Sequence, residues 1–180
     1  MTRDDMELLV EKLAILAEES GCKLTKSPAQ TRHWLESNSR LPHDIVEFLA
    51  TSWPDNTVYF GPYRLDELSH ISESERAKIA FAGGFFYIGA AGNGDLLVIR
   101  PQSGGLEDCE IGLISHEELW EKESNLKSIY EPICRGFKAL LAKAEIEDVL
   151  PLDYYDAKER REKSSQQTSA GDVQKAAPEK

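Results

Sequence analysis

Hydrophobic positions along the chain follow two different periods, one helical and one of strands. Met6, Leu9, Val10, Leu13, Leu16 and Ala17 recur at the i, i+3, i+4 spacing of one buried helical stripe, with Glu7, Glu11, Lys12 and Glu18 off it and Gly21 as a stop. Ser27-Pro28 reads as the cap and first turn of a second helix that turns Trp34 and Leu35 inward and fails by Asn38-Ser39. Leu41, Ile45, Phe48 and Leu49 mark a third, short helix ended by Pro54. The pattern then shortens to strands. Val58–Phe60 and Tyr63–Leu65 flank Gly61-Pro62, and a helical turn is expected around Ser74–Ile79. Phe85–Ile88 and Leu96–Ile99 flank a glycine-rich loop whose Asn93-Gly94 predicts a hairpin with positive φ at both residues. After the Ser103-Gly104-Gly105 loop, Cys109–Ile114 predicts another strand, and Ser115 to Glu118 resembles a capping box into a short helix with Leu119 and Trp120. Ile129, Ile133, Phe137, Leu140 and Ala144 predict a closing helix from Ser128 to Ala144.

Helices first, antiparallel strands next and a helix last define an α+β fold. The 58–65 and 85–99 pairs leave no room for the helical crossovers of a parallel sheet. The domain is read as residues 1–155. Residues 156–180 are dominated by Lys, Glu, Ser, Gln and Ala and are expected to be a disordered tail.

Charge sharpens this picture. The formal net charge is −11; the last 25 residues carry six basic and five acidic groups, which leaves −12 on the body. Such a body repels phosphate backbones and anionic lipid, so neither nucleic acid nor membrane is expected as a partner. The acids serve either plain solubility or a face that meets a basic protein. Cys22, Cys109 and Cys134 are too few and too far apart for a disulfide framework or a zinc site. With no signal-peptide pattern at the start and no apolar run of bilayer length, a cytoplasmic protein is expected.

Candidate chemistry is tested and set aside. Gly89, Gly92 and Gly94 follow a strand but precede another strand, so no helix N-terminus is there to receive a phosphate. His33, His43, His70 and His116 lack metal-ligand spacing, and no Gly-x-Ser-x-Gly elbow exists. Cys134 falls on the stripe of the closing helix, and the charges of Asp108 and Glu110 would raise the pKa of Cys109. No enzyme activity and no cofactor or metal are expected. Trp34, Trp53 and Trp120 are core candidates, with Trp53, in Thr51 to Asn56, open to a second role as a surface anchor.

Leu41-Pro42-His43-Asp44-Ile45-Val46-Glu47-Phe48-Leu49, then Tyr63-Arg64-Leu65, a glycine-containing hairpin over residues 81–100 and Phe137-Lys138-Ala139-Leu140-Leu141 come in the order of the SUKH superfamily, the Smi and Knr cell-wall regulators and their bacterial relatives. The chain resembles that family over residues 28–145, with Ser52 to Asn56 replacing its usual Asn-Gly and Ile45 its usual aromatic. The resemblance implies a helix-flanked antiparallel sheet used to bind proteins. In bacteria it implies an immunity protein that neutralises a toxin, often a nuclease whose basic surface an acidic inhibitor would complement. A regulatory scaffold without a toxin is the alternative it leaves open. The expected partner-binding residues are Trp53, Asp55, Tyr59, Asp66, Glu67, Asp108, Glu110, Glu117 and Glu118.

Overall fold

The computed structural model describes residues 3–37, 40–101 and 105–174, so residues 1–2, 38–39, 102–104 and 175–180 lie outside the described residues. It is α+β, with a six-stranded antiparallel sheet in the order β3-β4-β5-β6-β7-β8 and a two-stranded sheet of β1 and β2. Helices α1 (Arg3–Glu19), α2 (Ala29–Ser37) and α3 (His43–Thr51) precede the large sheet, with β1 (Leu24–Thr25) between the first two. Pro42 precedes the first turn of α3 as its cap, and β2 (Trp53–Pro54) follows at once. The meander runs through β3 (Val58–Phe60), β4 (Tyr63–Leu65), β5 (Phe86–Ala91), β6 (Leu96–Arg100), β7 (Glu110–Ile114) and β8 (Tyr130–Arg135).

Between β4 and β5 the polar segment holds two helices, α4 (Leu68–Glu73) and α5 (Glu75–Ala82), where a single turn is expected from sequence. Ser74 separates them and caps the second, its hydroxyl accepting from the Ala77 amide at 3.4 Å. The β5–β6 loop also differs. Gly94 N–H reaches the Ala91 carbonyl at 2.9 Å, and Gly94 alone takes a positive φ, +97°. A three-residue loop with one left-handed glycine has replaced the two-residue turn.

Cross-strand partners share a face. Val58, Phe60, Tyr63, Leu65, Leu97, Ile99, Ile111 and Leu113 therefore lie on one side, and Tyr59, Arg64, Leu96, Val98 and Ile114 on the other. The central strands are buried on both faces, which is why Leu96–Ile99 reads as an unbroken apolar run. Towards the β3 edge the second face opens, and Tyr59 and Arg64 are exposed.

The largest correction concerns the chain after Glu123. The expected helix Ser128–Ala144 is replaced by 3₁₀ turns over Glu123–Ile129 that are broken at Asn125, then β8, then α6 (Phe137–Ala144). Gly136 makes the break: its φ is +77°, and a Cβ there would sit 2.5 Å from the Glu107 carbonyl. Cys134 accordingly lies on β8 and not on a helical stripe. The second correction is the tail. Residues 156–174, expected to be disordered, continue α7 (Tyr154–Gln174), which packs on β7 and β8 through buried Tyr154 and Ala157. Arg161 reaches the buried carboxylate of Glu131 at 3.0 Å, and Arg160 holds Asp156 and the carbonyls of Asp148 and Val149.

Candidate protein-binding surface

β7 ends at Ile114, and residues 116–121 pass through successive turns in place of the expected short helix. Half of the capping box forms: the buried Ser115 hydroxyl accepts from the Glu118 amide at 3.4 Å. A second contact holds the turn more firmly. Asp95, at the foot of β6 and fully buried, accepts from the His116 amide (2.9 Å) and approaches His116 Nδ1 (2.7 Å) with one oxygen. With the other it accepts from the Tyr154 amide (2.8 Å) and Asn93 Nδ2 (2.9 Å). One carboxylate thus clasps the β5–β6 loop, the turn after β7 and the start of α7. Burial pushes its pKa up, but the amides of His116 and Tyr154 and the side chains of His116 and Asn93 outweigh it and hold the pKa below the usual value.

What the clasp presents is Trp120. Leu119 points into the core, and Trp120, one residue on, is 57% exposed. Glu117, Glu121 and Glu123 are exposed around it in sequence, with Glu118 half-buried and Lys122 the one base among them. Tyr155, 46% exposed at the first turn of α7, donates its hydroxyl to Glu117 at 3.0 Å and so stands beside the same turn. Aromatic rings with carboxylates around them, on a turn fixed by buried hydrogen bonds, suit a basic protein surface with an apolar recess.

The expected binding residues do not form one face. Trp53 is 1% exposed: its ring packs edge-on to Phe48 and Phe137, and its indole N–H donates to the Asp66 carbonyl at 2.9 Å, so it is core and no anchor. Asp55 is exposed but accepts from the Lys23 amide, fixing the β1–β2 pair. Asp66 is closed off by Arg64 Nε (2.9 Å) and the Tyr87 hydroxyl. Glu67 accepts from Ser69. Asp108 is exposed, and Glu110 faces Arg100 across β6–β7 at 3.3 Å. Tyr59, 65% exposed, lines an open cleft with Arg64, Asp66, His70, Arg76 and Tyr87. β4 and β7 are three strands apart, roughly 14 Å at the usual strand spacing, and Glu110 and Glu117 lie at opposite ends of β7. Only Glu117 and Glu118 belong to the Trp120 turn. Trp120, expected in the core, lies at the surface instead, and Asp95 is not among the residues that the sequence singles out. The four glutamates between 117 and 123 are the sequence signal for the first; Asp95 sits in a turn motif that gives no such sign.

The cysteines are all free. Burial pushes Cys109 up to about 12, with the neighbouring Cys134 next in effect; Asp108 and Glu110 are not the cause. Burial also pushes Cys134 up to about 12. Such thiols are poor nucleophiles. Among the described residues no three or more His, Cys, Asp or Glu side chains are grouped to hold a metal ion, and no helix is long and apolar enough to cross a membrane. No protein-family model, curated protein or solved structure matches the chain.

Proposed function

We propose that this chain is a non-catalytic, SUKH-like protein-binding domain that acts in the cytoplasm as an immunity protein, binding a basic toxin domain through the turn around Trp120 and so neutralising it. The observation that carries the reading is Trp120 itself, a large aromatic side chain more than half exposed on a turn held by the buried Asp95. An exposed tryptophan costs solubility without contributing to the core, and tryptophan is among the residues most enriched at the centres of protein interfaces. The glutamates around it would repel other acidic surfaces and attract a basic one, such as a nuclease cleft. The unpaired cysteines fit a reducing compartment. The family resemblance supplies the toxin, and the α+β meander flanked by helices is the architecture that the resemblance implies.

The test is to look for a toxin-domain protein encoded beside its gene and to co-express the two. The wild-type chain should restore growth of cells making that toxin, and Trp120→Ala should fail to do so while accumulating to the same level. Full protection by Trp120→Ala would remove this turn from the contact. A purified wild-type chain with no affinity for the toxin would remove the immunity function.

A further inference from the structure

We infer a second ligand site: the cleft between the β3–β4 edge and α4–α5 binds the phosphate of a small phosphomonoester. The cleft encloses about 370 Å³. Three elements bring cationic or protonatable donors to it, Arg64 from β4, His70 from α4 and Arg76 from α5, and Thr57 and Ser74 also line it. Within a body carrying −12 this is an unusual concentration of donors. The acids nearby do not cancel it. Both Asp66 oxygens are taken, one by Arg64 Nε and one by the Tyr87 hydroxyl, which also meets the Arg64 guanidinium, so Asp66 and Tyr87 together hold Arg64 on the wall of the cleft. Glu67 accepts from Ser69 and lies 3.9 Å from His70 Nδ1, and Glu75 is paired with Lys78 at 2.5 Å. Arg76 has no carboxylate partner among the described residues; its one contact is the Gly94 carbonyl at 3.5 Å.

The number and direction of these donors select the ligand. A carboxylate is planar and is satisfied by one guanidinium fork, whereas donors from three elements around a cleft match a tetrahedral anion with three free oxygens. A polyanion is opposed by the charge of the body, so the ligand is small. Tyr59 stands opposite Arg64 in the β3–β4 register, and its exposed ring gives the organic part of a phosphomonoester an apolar surface to lie on.

The experiment is titration of the full ¹⁵N-labelled chain, followed by amide shifts, with inorganic phosphate, ribose 5-phosphate and ribose in separate arms. Both phosphates should give saturable shifts confined to residues 57–66 and 70–76, Tyr87 and Gly94, and ribose none. Tighter binding of ribose 5-phosphate than of phosphate would identify the phosphomonoester as the natural source, and equal binding free phosphate. Arg76→Gln, on an exposed helical position where folding is not at stake, should weaken binding at least about tenfold, since it removes charge-assisted hydrogen bonds. Arg135→Gln, on the far edge strand, should leave it unchanged. Shifts that do not saturate, that Arg76→Gln leaves intact, or that spread to Arg100 and Arg135 would overturn the proposal. The growth-protection assay of Trp120→Ala does not read phosphate binding, and the titration does not read toxin binding, so the two readings stand or fall separately.

Discussion

Replacing Trp53 by alanine removes a ring packed between Phe48 and Phe137 and leaves the Asp66 carbonyl without its donor. The expected loss is about 3–5 kcal/mol, read from the urea midpoint. Trp120→Ala should change the same midpoint by under about 0.5 kcal/mol and yet weaken partner binding by about 2 kcal/mol or more. If both tryptophans behave alike in either measurement, one of the two assignments is wrong. The local sequence separates them only by the glutamates that flank Trp120. What decides is whether folding brings other aromatic side chains and a carbonyl to the ring, and that depends on residues as distant as Phe137. Asp95 is a second case. Its folded pKa lies below the unfolded one, so its contribution is present at neutral pH and is lost as pH falls through the folded value. Asp95→Asn should cost about 2–4 kcal/mol at pH 7, because the amide nitrogen would face N–H groups that a carboxylate accepts. The gap between the two proteins should narrow in acid. A gap constant down to pH 3 would show that the carboxylate charge is not what holds the clasp.

Helix α7 is where element-level reasoning from composition went furthest astray. Its residues are too polar to make a core of their own, and that much is correct. The helix is instead fixed by a few specific contacts: buried Tyr154 and Ala157, the Tyr63 hydroxyl on the Pro151 carbonyl at 2.6 Å, and Arg161 on Glu131. Glu131 is 3% exposed and its second oxygen has no partner, so Arg161 is what balances that charge. Arg161→Ala should cost about 2–4 kcal/mol at neutral pH. Burial holds the Glu131 pKa above its ordinary value even with Arg161 in place. A carboxyl whose folded pKa is raised gains stability as pH falls through that value, so the Arg161→Ala deficit should shrink between pH 7 and pH 4. A deficit independent of pH would mean that the lost contact is packing and not charge. The β8–α6 junction was misread for a related reason. Ile129, Ile133 and Phe137 fit a helical period, but Pro132 and Gly136 lie within the same span, and both argue against a continuous helix. The N-terminal helices and the β3–β7 meander were legible, because their apolar periods and their glycine and proline punctuation agree.

For the whole molecule the question is how a net charge of −11 is spread over the surface. Counting acids along the chain suggested one acidic face, but the sheet separates them: Asp55, Asp66 and Glu67 lie towards the β3 edge, Asp108 and Glu110 at one end of β7, and Glu117 and Glu118 beyond the other end. Several of the carboxylates are also spent within the fold, on Arg64, Arg100 or backbone amides. If the Trp120 turn receives a basic toxin, encounter should depend on the charges near that turn and much less on total charge. Fields between exposed groups fall off over about 8 Å at physiological salt. Neutralising Glu117, Glu121 and Glu123 together to Gln should therefore slow association by about tenfold or more at low ionic strength. Neutralising Asp55, Glu107 and Asp108 removes the same total charge and should change the rate by less than about twofold. Raising the salt should bring the three proteins together. Dissociation should stay near the wild-type rate in both charge variants and rise only in Trp120→Ala, because a desolvated ring holds the formed complex while rim charges guide its approach. Equal slowing by the two triple variants would mean that the partner responds to the global charge, and the contact would then have to be sought away from this turn.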